Sequence, residues 1–255
     1  MSSMTPLEKA TQRSRHLLPL VVIALIGCLG GCEYAPNDIS LPSASIPTTE
    51  ASFPTTEASG IPPLPDSGDI DAGTYLVTDF TVPFEITVPD GWSTLDGDGL
   101  GKDDRDHPGE GAVFLTFWRT YYVPTDAYAW QDALVELDPS VKAFVDAMTA
   151  QTSTASTPPV EVVVGDYSGF EFDHSVEGAV DITACDEDKI CVRSGMSYIC
   201  TRWYSSVAER ETYRVVDLNG ERAVIGLTHF HESINPELTR EARVVFDSIV
   251  FKSTK

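Results

Sequence analysis

Apolar and polar residues alternate along several segments of the chain after residue 73, and a period of two predicts β-strands. The clearest segment is 84–88, where Phe84, Ile86 and Val88 are separated by polar residues. Further strands are predicted from apolar and β-branched content at 112–122, 160–164, 167–176, 211–216 and 222–230. The last two enclose Asn219-Gly220, and Asn-Gly is the strongest short signal for a hairpin.

Apolar residues at helical spacing predict three helices. Asn235 caps the last helix and Pro236 takes its first position, Pro139 opens a second, and Thr125 caps a third. Their apolar residues are, in chain order, Tyr128, Trp130 and Leu134; Val141, Phe144, Val145 and Met148; and Leu238, Ala242, Val245 and Ile249. Hairpin strands accompanied by helices predict one α+β domain over residues 74–255, an antiparallel sheet with helices packed against it.

The N-terminus has the layout of a secretory signal. Lys9, Arg13 and Arg15 precede a short apolar run at 16–27. A membrane span needs about 20 apolar residues, and this run is shorter and contains Pro19. We therefore expect residues 1–31 to be a signal peptide that is removed from the mature protein.

Two cysteines follow the apolar run. Residues 25–28, Leu-Ile-Gly-Cys, and 29–32, Leu-Gly-Gly-Cys, both resemble the lipobox of bacterial lipoproteins, whose cysteine receives a diacylglycerol. The resemblance implies lipidation at Cys32, with Cys28 as the alternative. Long acyl chains contribute about 0.8 kcal/mol per buried methylene. The expected location is the extracytoplasmic face of the cell membrane, with the chain lipid-anchored there; the rival is a protein secreted free.

Residues 32–73 have the composition of a disordered tether. They are rich in Pro, Ser, Thr and Ala, show no apolar periodicity, and repeat Pro-Thr-Thr-Glu-Ala-Ser at 47–52 and 54–59. Such a segment buries too little apolar surface to offset the entropy of ordering it. Its prolines favour an extended spacer between membrane and domain.

The charge balance excludes one class of partner. The chain has 17 basic and 39 acidic residues, a formal net charge of −22. Removal of residues 1–31 takes away three basic residues and one acidic residue, which makes the charge about −24. A strongly acidic protein repels the phosphate backbone, so we expect no nucleic-acid partner. The expected partners are the membrane, through the lipid, and an unidentified envelope protein or small ligand.

Three cysteines lie in the predicted domain, where an exported protein can form disulfides. Cys191 and Cys200 flank the turn-like residues 194–197, Ser-Gly-Met-Ser. In a hairpin centred on that turn, residues whose numbers sum to 391 face each other, which predicts a disulfide between these two cysteines. Pairing of Cys185 with either of them is the competing arrangement.

Three segments carry a family resemblance: 84–92 (Phe-Glu-Ile-Thr-Val-Pro-Asp-Gly-Trp), 215–222 (Val-Val-Asp-Leu-Asn-Gly-Glu-Arg) and 246–251 (Phe-Asp-Ser-Ile-Val-Phe). They resemble uncharacterised bacterial envelope lipoproteins, which are similar to LpqN-type lipoproteins with a PsbP-like fold. These motifs are structural and include no catalytic set. The resemblance therefore implies a non-catalytic ligand-binding or protein-interaction module that needs no cofactor.

Aromatic residues provide the first candidate site. Trp118, Tyr122 and Trp203 lie in segments dense in aromatic residues, at 117–122 and 202–204. Side chains of this type can line a groove for a small ligand or a carbohydrate. The competing interpretation divides them between core and surface by strand alternation.

Histidines provide the second candidate site. His229 and His231 occupy alternate positions of a predicted strand and point to the same side, an arrangement that some metal sites use. With the distant His174 as a third ligand, the pattern gives an alternative function, a metal-dependent hydrolase. The ordinary interpretation is a pair of exposed polar residues at a strand end.

Overall fold

Antiparallel strands dominate the structure, a computed structural model that describes residues 60–95, 99–106, 111–178, 180–230 and 234–252. The strands are β1 (Gly68–Ile70), β2 (Gly73–Val77), β3 (Phe84–Val88), β4 (Trp92–Thr94), β5 (Gly99–Lys102), β6 (Val113–Thr116), β7 (Tyr122–Pro124), β8 (Leu134–Glu136), β9 (Thr154–Ser156), β10 (Val160–Val164), β11 (Tyr167–Val176), β12 (Ile190–Arg193), β13 (Arg202–Tyr204), β14 (Arg210–Leu218), β15 (Glu221–His229) and β16 (Val250–Phe251). The α-helices are α1 (Val141–Ala150) and α2 (Pro236–Asp247), and two short 3₁₀ helices span Ile182–Ala184 and Asp186–Asp188.

Nine of these strands form the main sheet. Its order is β1-β4-β5-β6-β15-β14-β11-β10, and β9 also pairs with β11. The centre is the predicted hairpin, in which β14 and β15 pair from Arg210↔His229 to Leu218↔Glu221. Asn219 has a φ of 61° and Gly220 a φ of 97°, the left-handed backbone that an Asn-Gly turn supplies at low cost.

Smaller sheets pack around the main one. β2, β3 and β16 form a three-stranded sheet, while β7 pairs with β8 and β12 pairs with β13. Residues 60–73, which the sequence analysis assigned to the tether, contribute β1 at the edge of the main sheet. The chain thus enters the described fold before residue 74.

The two faces of the main sheet bury separate apolar clusters. α2 covers the face that carries Leu115, Ile225 and Leu227, together with the three-stranded sheet. α1 covers the opposite face, where Tyr213 and Val215 pack against Phe144. The last helix begins as predicted, because the Asn235 side chain accepts a hydrogen bond from the Leu238 N–H. The helix predicted to open at Pro139 begins two residues later, at Val141, because the Ser140 side chain accepts from the Ala143 N–H and caps it there.

The helix predicted from Thr125 is wrong. This part of the chain contains β7, a turn and β8, and the Thr125 N–H donates to the carbonyl of Ala133. The indole of Trp130 donates to the carbonyl of Asp186 at 3.0 Å and packs on Cys191 and Cys200. Tertiary contacts of the aromatic side chains therefore override a local pattern that had the spacing of a helix.

The long strand predicted at 112–122 is two separate strands. β6 belongs to the main sheet, whereas β7 belongs to a two-stranded sheet. Between them the chain turns toward the β12–β13 hairpin, where the N–H groups of Tyr121 and Tyr122 both donate to the carbonyl of Ser194. β6 therefore ends at Thr116, and the chain that follows does not pair with β15. This leaves space beside β15 at that end of the main sheet.

The predicted disulfide between Cys191 and Cys200 is confirmed. The hairpin register differs from the prediction, because Cys191 lies opposite Trp203 and Met196 pairs with Ile199. Cys185, the competing partner, is a buried free thiol. The disulfide therefore connects Cys191 on β12 with a residue of the other side of the hairpin that lies three positions closer to the tip than Trp203, the partner of Cys191.

The chain is predominantly β over its described residues, so the predicted antiparallel sheet is confirmed and the α+β description applies only loosely, to two helices. Within that part of the chain no helix is long and apolar enough to cross a membrane. The predicted signal peptide, Cys28, Cys32 and the tether up to residue 59 lie outside the described residues.

Candidate functional site

A buried carboxylate lies at the centre of the face that α1 covers. Glu211 of β14 is fully buried, and its Oε2 accepts hydrogen bonds from the Tyr213 hydroxyl at 2.7 Å and from Arg202 Nε at 3.0 Å. A second guanidinium, that of Arg193, lies 3.8 Å from its other oxygen. The two arginines come from the β12–β13 hairpin, so this network holds the hairpin on the sheet.

The arginines also donate to hydroxyl groups on β6, on β15 and on the segment after β6. Arg193 donates to the hydroxyls of Thr116 and Thr120, each at 3.1 Å. Arg202 donates to the Thr228 hydroxyl at 3.2 Å, and its Nη2 lies 3.5 Å from a carboxylate oxygen of Glu209. Two cations and two anions thus meet in one buried layer, whose net charge is zero.

A glycine makes room for this layer. Gly226 of β15 lies beside Tyr213 and Thr116 in the sheet. A Cβ at this position would be 2.2 Å from Glu211 Oε1 and 3.0 Å from the Thr116 hydroxyl oxygen. Any side chain here would displace the carboxylate from the arginines that compensate it.

The pairing fixes the ionisation of the network. Burial acts to raise the pKa of Glu211, but the charges of Arg202 and Arg193 outweigh it and hold that pKa below its usual range. Burial acts to lower the pKa of Arg202, and the Glu211 charge outweighs it and raises that pKa. Both groups therefore stay charged at neutral pH. Glu209 differs, because burial dominates there and raises its pKa despite Arg202.

His174 lies next to this layer as a buried neutral group. Its Nδ1 is 2.9 Å from the Tyr204 hydroxyl, and Nε2 has no hydrogen-bond partner among the described residues. Burial lowers the pKa of His174 to about 4 although the Glu211 carboxylate opposes the shift. The imidazole therefore serves as a packed core residue at neutral pH.

An apolar cleft of about 410 Å³ opens beside the network, between the sheet and the β12–β13 hairpin. Aromatic side chains supply most of its walls and the network supplies its floor. Its lining residues are Leu95, Phe114, Thr116, Trp118, Thr201, Arg202, Trp203, Ser205, Glu209, Thr228 and Phe230. The rings of Phe114 and Phe230 meet edge to face with their centroids 5.3 Å apart.

Two of the three predicted binding aromatics meet at this cleft. Trp118 and Trp203 line it, whereas Tyr122 lies in β7 and is not part of its lining. Cationic side chains hold both indoles, since Lys189 Nζ is 4.8 Å from the Trp203 ring centroid and the Arg193 guanidinium is 5.6 Å from that of Trp118. A second cleft of about 440 Å³ shares Trp118 and Thr201 with the first.

The candidate histidines are not brought together. His174 pairs across the sheet with Glu211, and His229 pairs with Arg210. Glu211 and Arg210 are consecutive residues of one strand, so the two histidines point to opposite faces. His231 lies outside the described residues, and the described part of the chain contains no cluster of three or more His, Cys, Asp or Glu that could hold a metal ion.

Sequence reasoning missed the charged layer. Arg193, Arg202 and Glu211 occupy strand positions where alternation places core residues, and that placement was the available signal. Charged residues at such positions are almost never buried without a partner. The partners are on separate elements, and no local pattern in the sequence relates β12–β13 to β14.

Comparisons with known proteins find similarity among solved structures. No protein-family model matches the chain, and no curated protein matches it. Among solved structures, the chain is similar to the cyanobacterial PsbP protein CyanoP from Synechocystis sp. PCC 6803. The identity is 12%, the TM-score is 0.33, and the match covers 72% of this chain and 96% of that chain. A PsbP-like protein is therefore a structural neighbour of this chain.

We predict that Gly226→Ala lowers the free energy of unfolding by about 2–3 kcal/mol, because the new methyl group overpacks the layer. The Glu211 side chain cannot yield freely, since Tyr213 and Arg202 hold it. Urea unfolding measures the change. The matched control is Gly60→Ala, where an added Cβ meets nothing within 4 Å and the free energy should stay within about 0.5 kcal/mol. Equal small effects in both variants would contradict the described packing.

We also predict a pH dependence of stability that originates in His174. The unfolded chain takes up a proton on this residue below about 6.5, whereas the folded chain stays neutral down to about 4. Unfolding then binds a proton, so the free energy of unfolding falls by about 3 kcal/mol as the pH drops from 6.5 to 4.

The measurement compares the chain with His174→Gln by urea unfolding at pH 7 and pH 4. The His174→Gln variant should lack the fall of about 3 kcal/mol in the free energy of unfolding that protonation of His174 causes. Glu209, whose raised pKa acts in the opposite direction, is present in both chains and cancels in the comparison. Identical pH profiles for the two chains would show that His174 titrates normally in the folded state.

Proposed function

We propose that this protein is a lipid-anchored, extracytoplasmic lipoprotein that acts as a non-catalytic binding module, and that its ligand occupies the cleft lined by Trp118 and Trp203. The observation that carries the proposal is the cleft itself, in which aromatic walls from two separate elements surround a fixed polar floor. A volume of about 410 Å³ suits a small molecule, because such sites are commonly about 300–1,000 Å³ and mostly apolar.

The electrostatics of the floor support binding rather than proton transfer. A general acid or base works best with a pKa near the operating pH. Glu211 and Arg202 are shifted away from neutrality by their mutual attraction, and His174 is shifted below it by burial. These three groups keep one protonation state at neutral pH, and of them Arg202 lines the cleft. Glu209 also lines it, and burial raises the pKa of that carboxyl.

The rigidity of the cleft also supports binding. The walls from β13 are fixed by the Glu211 network and by the Cys191–Cys200 disulfide. A site that is already formed loses less conformational entropy when the ligand enters. Most of the favourable free energy from burying the ligand then contributes to its affinity, because little of it is offset by ordering of the protein.

The anchor rests on the sequence. A basic stretch, a short apolar run and two lipobox-like segments ending at Cys28 and Cys32 precede the Pro/Ser/Thr-rich residues. Acyl chains on one of these cysteines would hold the domain at the membrane. The domain is strongly acidic, so its own charge would otherwise be repelled by anionic lipid headgroups. An unidentified envelope protein or a small ligand is the partner in this proposal.

To test the cleft, the uncharged fluorescent dye N-phenyl-1-naphthylamine is titrated into the purified full chain. We expect saturable binding with increased dye emission. Trp118→Ala and Trp203→Ala should each weaken binding by roughly tenfold, because each removes about 1–2 kcal/mol of aromatic contact.

The control is Tyr121→Ala, which removes an exposed aromatic residue that does not line this cleft and should leave the affinity unchanged. Dye binding that is insensitive to both tryptophans, or that is absent in the unmodified chain, would contradict a ligand site here.

To test the anchor, bacteria that express the full chain are labelled with a clickable palmitate analogue, and the mature N-terminus is analysed by mass spectrometry. We expect acyl mass on Cys32 as the first residue, lost in Cys32→Ala and retained in Cys185→Ser. Acyl mass that disappears only in Cys28→Ala would move the anchor to that residue. An unacylated chain in the culture medium would contradict the anchor altogether.

A further inference from the structure

The tip of the β12–β13 hairpin exposes a group of large apolar side chains. Tyr198 is 78% exposed, Met196 48% and Ile199 43%, and Tyr121 on the adjoining loop is 47% exposed. We call these four residues the hairpin tip. Isolated exposed apolar residues are ordinary, but a contiguous group of them marks an interaction surface.

The hairpin tip is a preorganised structure rather than a loose loop. Met196 and Ile199 pair as a β-bridge, and the Gly195 N–H donates to the Thr201 hydroxyl at 3.0 Å. The disulfide closes the loop behind them, and the Tyr121 N–H donates to the Ser194 carbonyl at 3.0 Å. These bonds hold the apolar side chains outward, so docking them costs little further ordering.

The charge distribution singles out the same surface. Residues 189–208 and 111–125 contain no Asp or Glu, although the chain has 39 of them. Their cations add no net positive charge, because Arg193 and Arg202 are compensated in the buried layer and Lys189 and Arg119 pair with Glu187 and Glu221. One carboxylate, Asp79, lines the neighbouring cleft, and Arg119 lines it too. The rest of the acidic domain is repelled by anionic lipid headgroups, so this surface approaches a bilayer at the lowest electrostatic cost.

We infer that the hairpin tip docks on the lipid bilayer, with its apolar side chains at the boundary between headgroups and acyl chains. This inference rests on the proposed lipid anchor. Tyrosine is a residue type enriched at that boundary, where an apolar ring and a polar hydroxyl are both satisfied. The occupant is the membrane that holds the lipid, and the cleft, whose wall includes Thr201 and Trp203 of the same hairpin, then lies close to it.

The chain between the lipid anchor and residue 60 keeps the domain near the membrane, so that a weak affinity of the hairpin tip for lipid is enough for docking. About 30 residues separate the candidate lipidation sites from residue 60, and their Pro/Ser/Thr-rich composition predicts a spacer. A coil of that length would span on the order of 30 Å. Such tethers give effective concentrations in the millimolar range. A surface of four side chains with only millimolar affinity for lipid is therefore substantially docked once the anchor is in place.

The test places the acylated full chain in phosphatidylcholine vesicles whose acyl chains are brominated near the headgroup end, which quenches indole emission at close range. Tyr198→Trp supplies a reporter at the hairpin tip. The matched reporter is Val244→Trp, which is exposed on α2, the helix on the opposite face of the main sheet. The emission of the four native tryptophans is subtracted with the unmodified chain.

We expect the Tyr198→Trp reporter to lose roughly half of its added emission, as interfacial depth implies, and the Val244→Trp reporter to lose almost none. Adding Met196→Ser and Ile199→Ser to the first reporter should remove most of its quenching. Equal quenching of the two reporters would overturn the inference, as would a Tyr198→Trp reporter that is not quenched on vesicles the chain is bound to.

Vesicle flotation separates this inference from the proposed anchor. A chain that floats with the vesicles and shows no selective quenching retains its anchor, and only the docking is overturned. A chain that does not float has no anchor, and the docking, which needs the effective concentration of the tether, is overturned with it. Dye binding in the cleft is independent of both results.

Discussion

The buried carboxylate of Glu211 is the constraint on which this structure depends. A charge moved from water into a protein interior costs several kcal/mol unless paired charges and hydrogen bonds compensate it. Here the compensation comes from Arg193 and Arg202, which lie on the β12–β13 hairpin, a two-stranded sheet separate from the main sheet that contains β14. The hairpin must therefore lie against the sheet for the carboxylate to be tolerated, and the space beside that contact is the cleft.

The network contributes more to fixing a single position of the β12–β13 hairpin on the sheet than to the free energy of unfolding. Replacing a buried ion pair with apolar residues of similar volume is often neutral or stabilising, whereas breaking one partner is costly. Apolar contacts would let the hairpin slide over the sheet, but charge pairs with hydroxyl partners such as Thr116 and Thr228 fix one register. A binding site whose wall is a hairpin benefits from that fixed position.

One wall of the cleft and the hairpin tip both belong to the β12–β13 hairpin. Trp203 and Thr201 line the cleft, while Tyr198 and Met196 project from the tip, and the Cys191–Cys200 disulfide lies between them. Docking at the tip would therefore position the cleft relative to the membrane without any motion inside the domain. The acidity of the remaining surface would act in the same direction, since it disfavours other orientations.

The sequence by itself determined the elements with strong local signals. Alternation and Asn-Gly determined the β14–β15 hairpin, the cap Asn235 determined where the last helix begins, and the spacing around residues 194–197 indicated the disulfide. Only the tertiary structure decided which residues meet. It turned the stretch after Thr125 into strands and a turn, placed His174 and His229 on opposite faces, and joined Glu211 to two arginines of another hairpin. The reason is physical: strand propensity, caps and turns act over a few residues, whereas face, register and charge pairing depend on how separate elements pack against one another.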